Sequence, residues 1–487
     1  MVKSWYTSIL HQNIYGVGIQ LALLIGGIGS AILFPRILGP ELFGNFALVF
    51  ALANFWLIFT NFIDQAVIKF VSASRVRKNT KLVIKLFLEW KTLLTIIASL
   101  ALFLSSSYIA NYIFHKPELS LGIKLSSLYI FFYSFYTLTD SALTGLFDNF
   151  PVMLAQFIYH TGRVLIPLML VTLWFSYLSV ISGIIIAGII ALGITLKALL
   201  GHYRRYKDVK FKIDAKPIKK FVFYCALTYF GQVLLQWIDA LTLGVFRKSA
   251  EVGFYRIGMM WVSSTGLFIP ISSRVLFAAY AQKYEEKAIM HSRSLFLYSL
   301  RYGFIFAFLL ITLMLLYSDY LVGIIYGPEF SKSSTILAIL SLLSVEILLT
   351  STTKPLLWGV GKVEITTFYT LGIGILMTGL NYMVAPHYGA EGVAFVTMSL
   401  RLAGSIALTL YCSKLLKVKL PYTYWLKPMG VSFVLLSIFL PFKESITSLS
   451  TFLFSALLTL ILYTTFIFTT KALTLKEVEK IIKGIKP

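Results

Sequence analysis

Residues 178–220 read LSVISGIIIAGIIALGITLKALLGHYRRYKDVKFKIDAKPIKK and decide the fold of this chain. Residues 178–200 carry Lys197 as their one charge, and an α-helix of about 20 apolar residues crosses a hydrocarbon core about 30 Å thick. Residues 201–220 form the longest polar break in the sequence, and this break is strongly basic. Because lysine and arginine collect on the cytoplasmic side of membrane proteins, we expect a membrane-spanning helix that ends in a cytoplasmic loop.

The same alternation of apolar stretches and short polar turns runs along the whole chain. Hydrophobic residues make up 58%, charged residues 13%, and the mean hydropathy is +0.83, which excludes a soluble globular protein. The runs are continuously apolar rather than alternating, which favours helices. We predict an all-α polytopic membrane protein of about fourteen transmembrane helices. The predicted spans, numbered one to fourteen, are 14–34, 43–64, 86–113, 122–145, 151–174, 178–200, 221–246, 255–279, 295–317, 333–356, 364–385, 390–413, 424–441 and 449–470.

The net charge of +23 indicates a topology rather than a nucleic-acid partner. With the N-terminus inside and fourteen spans, most of the 43 lysines and arginines fall in the inner segments. The positive-inside rule expects such an imbalance. The basic inner segments are also expected to attract anionic lipid. The chain is therefore expected in the cytoplasmic membrane, with both termini cytoplasmic. The first span lacks a following small-residue cleavage site and is interpreted as a retained helix.

The basic break divides the first twelve spans into six and six. Two six-helix lobes related by an axis along the membrane normal are a recurring plan of secondary transporters. The tail begins with a potential capping box, TLKE at 474–477, followed by apolar residues at helical spacing. The predicted regions are an N-lobe (1–205), a cytoplasmic basic linker (206–220), a C-lobe (221–415), spans thirteen and fourteen (416–471) and an amphipathic cytoplasmic tail helix (472–487).

Corresponding turns in the two halves are alike. After span one the chain reads LGPELFGNF (38–46), and after span seven it reads SAEVGFY (249–255). Both contain an acidic residue and then Gly-x-aromatic where the next helix opens. Glycine suits tight turns generally, but the agreement in position six spans apart favours an internal duplication.

Four turn sequences also resemble those of a known family. They are FPRILGPELFGNF (34–46), YGPEF (326–330), LLWGVGK (356–362) and PHYGAEGV (386–393). Together they are similar to the polysaccharide-export flippases of the multidrug/oligosaccharidyl-lipid/polysaccharide transporter superfamily. The resemblance covers nearly the whole chain and implies a lipid-diphosphate-linked oligosaccharide moved from the inner to the outer leaflet. It also implies that spans thirteen and fourteen help to accommodate the lipid tail.

Three charged residues lie too deep in their spans to reach the membrane surface. Arg163 is roughly 18 Å from the inner end of span five, and Arg401 and Glu346 are similarly deep in spans twelve and ten. A deep charge needs a partner or a wet cavity. Arginine suits a diphosphate because its fork of donors pairs with phosphate oxygens. Alternatively, Glu346 neutralises Arg401 as a structural pair. Six shallower charges are explained by snorkelling or local ion pairs: Asp64, Lys69, Asp140, Arg274, Arg301 and Lys354.

Two polar stripes accompany these charges. Gln156, His160 and Arg163 share one face of span five, and Gln232, Gln236 and Asp239 share one face of span seven. Such stripes either hold helices together or line water. Asp239, near the outer end of its span, is a candidate for Na⁺ or H⁺, or else a hydrogen-bonding group of the outer turn.

We therefore expect a central cationic cavity between the lobes that operates by alternating access. In this hypothesis Arg163 and Arg401 bind the diphosphate, and His160, Gln156, Gln232 and Gln236 contact sugar hydroxyls. Asp239 and Glu346 are the ion-coupling candidates, with H⁺ or Na⁺ as the ion and no other cofactor or metal. Glycan polymerases or glycosyltransferases of the same pathway are the expected protein partners.

Two other functions compete with a flippase. A cation-coupled multidrug exporter of the same superfamily would favour acidic residues in its cavity, whereas the deep arginines here are basic. A polytopic polysaccharide polymerase or glycosyltransferase usually needs a sizeable polar loop with acid and base groups, and no outer loop is long enough. No G-x-x-x-x-G-K-[ST] motif occurs either, so neither an enzyme nor an ATPase is expected.

Overall fold

Helices occupy nearly all of the chain that the structure describes, and no strand occurs in that part. In lipid this is expected, because a helix satisfies its backbone N–H and C=O groups within its own segment. The computed structural model describes residues 2–77, 79–206, 215–268, 273, 276, 277, 279, 280, 289–474 and 477, with backbone alone at 2–21, 75–77, 215 and 289.

In chain order the α-helices are Val2–Trp56, Ile58–Asn61, Asp64–Arg77, Thr80–Tyr108, Ser120–Leu146, Asn149–Leu173, Tyr177–Arg205, Ala215–Phe246, Ser249–Ser264, Ile289–Tyr326, Lys332–Leu340, Leu343–Gly359, Val363–Leu416, Thr423–Phe439 and Leu449–Thr469. A π-helical turn covers Ile109–Ile113, and 3₁₀ turns cover Pro117–Leu119, Thr265–Phe268, Pro328–Phe330 and Leu440–Ser445.

These helices confirm an all-α polytopic membrane protein. Among the described residues, ten helices are long and apolar enough to cross a membrane. Two of the ten are each a pair of helices joined across a kink, at Gly39 and Gly389. Ser120–Leu146 and residues 249–268, which are less apolar or shorter, supply two more segments. About fourteen spans, as predicted, therefore fit the described chain.

The outer surface of these helices is apolar, as lipid contact requires. Leu104, Leu173 and Phe454 are 78%, 83% and 70% exposed. Lipid tails are as apolar as leucine side chains, so packing and interhelical hydrogen bonds rather than hydrophobic burial hold such helices together.

Positive φ angles coincide with the four turn sequences that resemble the flippase family. The glycines with positive φ in the described ranges are Gly39, Gly327, Gly361 and Gly389. Each lies in one of those four sequences. At Gly389 φ is 55° and ψ is −145°, a conformation that side chains with a Cβ rarely adopt. The residues that carry the resemblance therefore set the direction in which one span leads into the next.

The two similar turns of the proposed duplication touch each other. A side chain added at Gly44 would collide with the carbonyl group of Ser249. One added at Gly253 would lie 2.9 Å from the carbonyl oxygen of Pro40. Both glycines are thus required by close backbone approach, and this contact lies within one compact unit of the chain.

The chain forms two compact units, Met1–Gly253 and Phe254–Pro487. In the first unit a buried cluster that includes Val67, Phe87 and Leu143 joins the inner parts of its helices. The helix Ala215–Phe246, which corresponds to span seven, belongs to this unit. The predicted lobe and linker boundaries stay predictions, and residues 207–214 of the linker lie outside the described residues.

In the second unit, spans thirteen and fourteen pack on the helix Ile289–Tyr326. The hydroxyl of Tyr463 donates a hydrogen bond to the carbonyl of Ile305 at 2.6 Å. Ser432 donates to the carbonyl of Phe308 at 3.1 Å. These hydrogen bonds join helices in the way expected where water is absent.

The start of the C-terminal tail is bound to the same helix. Arg301 forms a bidentate ion pair with Glu477, at 2.6 and 3.2 Å, and donates to the carbonyl of Ala472. The predicted capping box is present, because Glu477 accepts from the Thr474 backbone N–H at 2.9 Å and its own N–H reaches the Thr474 hydroxyl at 3.4 Å. The local ion pair expected for Arg301 is confirmed. Residues 478–487, predicted to be helical, lie outside the described residues.

Lys116 caps the end of span seven. Its ammonium donates to the carbonyls of Gly244 and Arg247 at 2.5 and 2.7 Å, where the last carbonyls of a helix lack partners. We expect Lys116→Met to lower the free energy of unfolding by about 1–2 kcal/mol. Thermal unfolding of the purified protein in detergent measures this loss. Lys248→Met, at an exposed position beside the same helix end, serves as the control, and equal midpoints for the two variants would contradict the capping role.

Candidate functional site

The polar stripe predicted on span five is present on the helix Asn149–Leu173. Gln156, His160 and Arg163 are half-buried on this helix. The Arg163 Nε and the His160 Nδ1 are buried atoms with no hydrogen-bond partner among the side chains described. A buried guanidinium N–H normally has an acceptor, so a ligand oxygen at this position would satisfy it.

Tyrosines surround Arg163. Its guanidinium interacts with the hydroxyl groups of Tyr129, Tyr133 and Tyr159. The rings of Tyr129 and Tyr133 stack with centroids 5.0 Å apart, and Tyr133 lies 5.5 Å from Tyr159. Arg163 therefore lies among aromatic faces and hydroxyl groups, a setting that offers hydrogen bonds and flat apolar contact to a sugar ring.

This tyrosine cluster was not anticipated from the sequence, although its signal is there. Tyr129, Tyr133 and Tyr136 follow one another at positions i, i+4 and i+7 in span four, which places them on one helical face. Tyr136 completes the cluster, with its ring 5.4 Å from that of Tyr159. From sequence alone, an aromatic stripe of this kind is equally typical of helix packing.

Gln156 is already engaged within the first unit. Its side-chain amide donates to both carboxylate oxygens of Asp140, at 3.2 and 3.3 Å. Asp140 therefore has a neutral donor as its hydrogen-bonding partner. A sugar hydroxyl at Gln156 would share the amide with this carboxylate.

The residues of the polar stripe predicted on span seven differ in their exposure. Gln232 and Gln236 are exposed on the helix Ala215–Phe246, whereas Asp239 is fully buried. The Asp239 carboxylate accepts from the backbone N–H of Ala240 at 2.9 Å. This bond lies within the helix itself, so the role of Asp239 in the outer turn and its role in ion coupling both stay predictions.

Arg401 and Glu346 form an ion pair in the second unit. Arg401 Nη2 lies 2.8 Å from Glu346 Oε2, and the side chains are 17% and 5% exposed. Lys354 interacts electrostatically with both and lies 5.5 Å from the ring centroid of Tyr369. Two cations thus share one carboxylate in this cluster. The pairing predicted as an alternative is present, while diphosphate binding by Arg401 and ion coupling by Glu346 stay predictions.

A second buried ion pair lies in the first unit. The Lys91 ammonium lies 2.7 Å from Asp64 Oδ1, and the Lys91 side chain is fully buried. The local ion pair that the sequence allowed for Asp64 is therefore present, with Lys91 as a partner that was not predicted. A further helix, Asp64–Arg77, begins at this residue, so Asp64 lies roughly 20 Å from that helix's end.

Among the other charges predicted to lie near the inner surface, Arg274 lies outside the described residues, and snorkelling or a local ion pair stays a prediction for Lys69, Asp140 and Lys354. Lys69 lies over the ring of Phe221 at 3.7 Å, a cation–π contact. Among the described residues, no three His, Cys, Asp or Glu side chains lie close enough together to hold a metal ion.

Comparisons with known proteins agree with the family resemblance. The family described as polysaccharide biosynthesis protein matches residues 14–284. A probable low-salt glycan biosynthesis flippase, Agl15 of Haloferax volcanii, is 22% identical over 221 residues, which are 45% of this chain and 46% of the flippase. An uncharacterized membrane protein of Methanocaldococcus jannaschii, MJ1068, is 24% identical over 42% of this chain and 41% of that protein. This chain thus spans less than half the length of the curated relatives it matches.

Solved structures show the same fold at low sequence identity. The lipid II flippase MurJ in an inward closed conformation has a TM-score of 0.74 at 17% identity, with 93% of this chain and 97% of that chain covered. An inward-facing multidrug resistance MATE family transporter of the MOP superfamily has a TM-score of 0.61 at 15% identity, with 83% and 94% covered. Since the family match extends over more than half of the sequence, this multi-pass membrane protein belongs to the polysaccharide biosynthesis protein family.

Proposed function

We propose that this protein is a flippase for a lipid-linked glycan, a polyprenyl-diphosphate-linked oligosaccharide, which it moves from the inner to the outer leaflet of the cytoplasmic membrane. The observation that carries the proposal is Arg163. Its buried Nε has no acceptor among the described side chains, and its charge interacts electrostatically with Tyr129, Tyr133 and Tyr159. The flippase among the curated relatives and the family match support the same function.

The chemistry of Arg163 fits a diphosphate. A headgroup with two phosphates loses its hydration at high cost when it enters the bilayer. A guanidinium offers a planar fork of donors to phosphate oxygens and stays charged at low solvation. The tyrosines beside it would contact the sugars, and His160 supplies a further polar atom without a partner among the described residues. Arg401, with Lys354 close to it, is the second cation in this proposal.

Transport in this proposal needs no covalent step. The two lobes would alternate between inner and outer access, as in other transporters built from repeats. Asp239 and Glu346 are the candidates for binding a coupling H⁺ or Na⁺. Spans thirteen and fourteen would accommodate the lipid tail, and both termini would be cytoplasmic. Glycosyltransferases and glycan polymerases would act before and after the transfer.

The test is transfer of a labelled lipid-linked oligosaccharide in proteoliposomes. Liposomes with the purified protein are expected to expose the inner-leaflet glycolipid to an outside lectin or glycosidase faster than protein-free liposomes. Equal exposure in both preparations would contradict the proposal. Product with a new glycosidic bond would instead indicate an enzyme.

A cation-coupled multidrug exporter is the second candidate, because MATE transporters share the fold. Carboxylates rather than guanidinium groups attract cationic drugs. The same proteoliposomes therefore separate the two functions. Uptake of a fluorescent cationic drug without glycolipid transfer would favour the exporter.

A further inference from the structure

Lys91 places a positive charge in the interior of the first unit, among oxygen atoms from three other helices. Its side chain is fully buried on the helix Thr80–Tyr108. The ammonium donates to Asp64 Oδ1 at 2.7 Å, to Asn61 Oδ1 at 2.9 Å and to Thr137 Oγ1 at 3.4 Å. Three oxygens of different types therefore surround one nitrogen.

A second layer of hydrogen bonds holds these oxygens in position. The hydroxyl of Thr60 donates to Asn61 Oδ1 at 3.0 Å. Ser134 in turn donates to the Thr60 hydroxyl at 2.9 Å. Thr60 and Ser134 are fully buried. A polar cluster whose members are mutually bonded keeps one geometry, so the arrangement around Lys91 is organised beyond its first neighbours.

The helical hydrogen bonding of span two is interrupted at the same place. The regular helical hydrogen-bond pattern is broken at Leu57 and at residues 62–63, on either side of Ile58–Asn61, while the backbone at Leu57 and Phe62 stays in the right-handed helical region. Irregular backbone within a membrane is tolerated where it lines a polar site, and transporters use interrupted helices to bind ions. The interruption brackets Asn61 and adjoins Asp64, the two residues that contact the ammonium most closely.

The oxygen set has the chemistry of a monovalent-cation site. A carboxylate, a side-chain amide oxygen and a hydroxyl are hard ligands of the kind that alkali cations prefer. We propose that Lys91 is a tethered cation, whose ammonium occupies a monovalent-cation site formed by Asp64, Asn61 and Thr137. This site in the first unit does not take up Na⁺ from solution, because the chain supplies its own cation. The proposal is independent of the transported substrate.

Removing the tethered cation is expected to turn the cluster into a Na⁺ site. In Lys91→Ala the Asp64 carboxylate loses its partner, and the deleted side chain leaves space beside it. Thermal unfolding of the purified variant is measured in NaCl, methylammonium chloride and choline chloride at equal concentration. We expect a midpoint about 2–4 °C higher in NaCl or methylammonium chloride than in bulky choline chloride. The wild-type protein, measured in the same three salts, gives the baseline for cation binding at other sites, and the preference of Lys91→Ala should exceed this baseline by that amount.

A matched variant tests whether the added cation binds at this cluster. Asp64→Asn/Lys91→Ala lacks both charges and should show no preference among the salts beyond that of the wild type. The same preference in this double variant would mean that the cation acts elsewhere and would overturn the proposal. Equal midpoints for Lys91→Ala in all salts would overturn it as well.

The outcome stays decisive if Lys91→Ala is unstable. Membranes are then solubilised separately in each salt, and folded monodisperse protein is quantified by size-exclusion chromatography. Recovery in NaCl or methylammonium chloride but not in choline chloride supports the tethered cation. Recovery in none of the three overturns it, because an external cation then cannot replace the ammonium.

Discussion

Arg163→Ala is expected to slow glycolipid transfer in proteoliposomes by about 100-fold. Truncating one member of a buried charge-assisted contact costs about 3 kcal/mol, and each 1.4 kcal/mol is a factor of ten. The loss is expected to be large because the other polar groups near Arg163 are tyrosines and a histidine, none of which replaces a fixed positive charge. Arg163→Lys keeps the charge but loses the planar fork, so its rate should fall between those of Arg163→Ala and the wild type.

Two comparisons make the Arg163 result specific. Lys85→Ala removes a cation of the same unit whose side chain is 60% exposed and 3.9 Å from Glu89, and it should transfer glycolipid at the wild-type rate. Thermal unfolding of each variant shows whether folding is intact. A folded Arg163→Ala variant with the wild-type transfer rate would contradict the role of Arg163 in binding the diphosphate.

The ion pair of Arg401 and Glu346 is expected to respond differently to single and double replacement. Glu346→Leu alone leaves Arg401 buried without this carboxylate, and removing one partner of a buried pair costs about 3–5 kcal/mol of stability. Replacing both partners by apolar residues is often neutral. Arg401→Leu/Glu346→Leu removes the pair but also takes the carboxylate from Lys354, so it should unfold at a higher temperature than Glu346→Leu and somewhat below the wild type.

Transfer assays on the double variant separate the two roles of Arg401. If Arg401 binds the diphosphate, as proposed, the stable double variant still transfers glycolipid at least about 10-fold more slowly than the wild type. A stable double variant with the wild-type rate would show that Arg401 is only the structural partner of Glu346. Lys354→Met is the matched control for positive charge in this cluster, since Lys354 lies near both residues.

The spans could be predicted because the length and hydropathy of a segment are local properties. Span four, Ser120–Leu146, is less apolar than the others, yet the spacing of turns identified it. The predicted ends of the spans agree less well with the ends of the helices. Nothing in residues 64–77 is apolar enough to signal a span, but the helix continues there because its residues pack against the other inner helices of the unit.

The candidate site could be predicted in part. Arg163 and Arg401 were found because depth along a span follows from counting residues. The partner of each depends on contacts between distant segments. Glu346 and Arg401 are 55 residues apart in the sequence. The sequence could therefore not decide whether Arg401 faces a cavity or pairs with Glu346, and only the distance between them shows the pair. Lys91 was not predicted to be deep, because it is only the sixth residue of predicted span three and a lysine there can still reach the membrane surface. The helix in fact begins six residues before that span, at Thr80, so Lys91 lies further from the helix end.

The contact between Gly44 and Ser249 has a consequence for choosing reporter positions. The two turns fit against each other with backbone on both sides, so a cysteine or fluorophore introduced at either glycine would push the opposite turn away. A label at either glycine would therefore report a distorted contact rather than the native one. Lys248, exposed and one residue before Ser249, offers an attachment point beside the same contact without entering it. Spectroscopic distance measurements on these turns are therefore best anchored at that lysine.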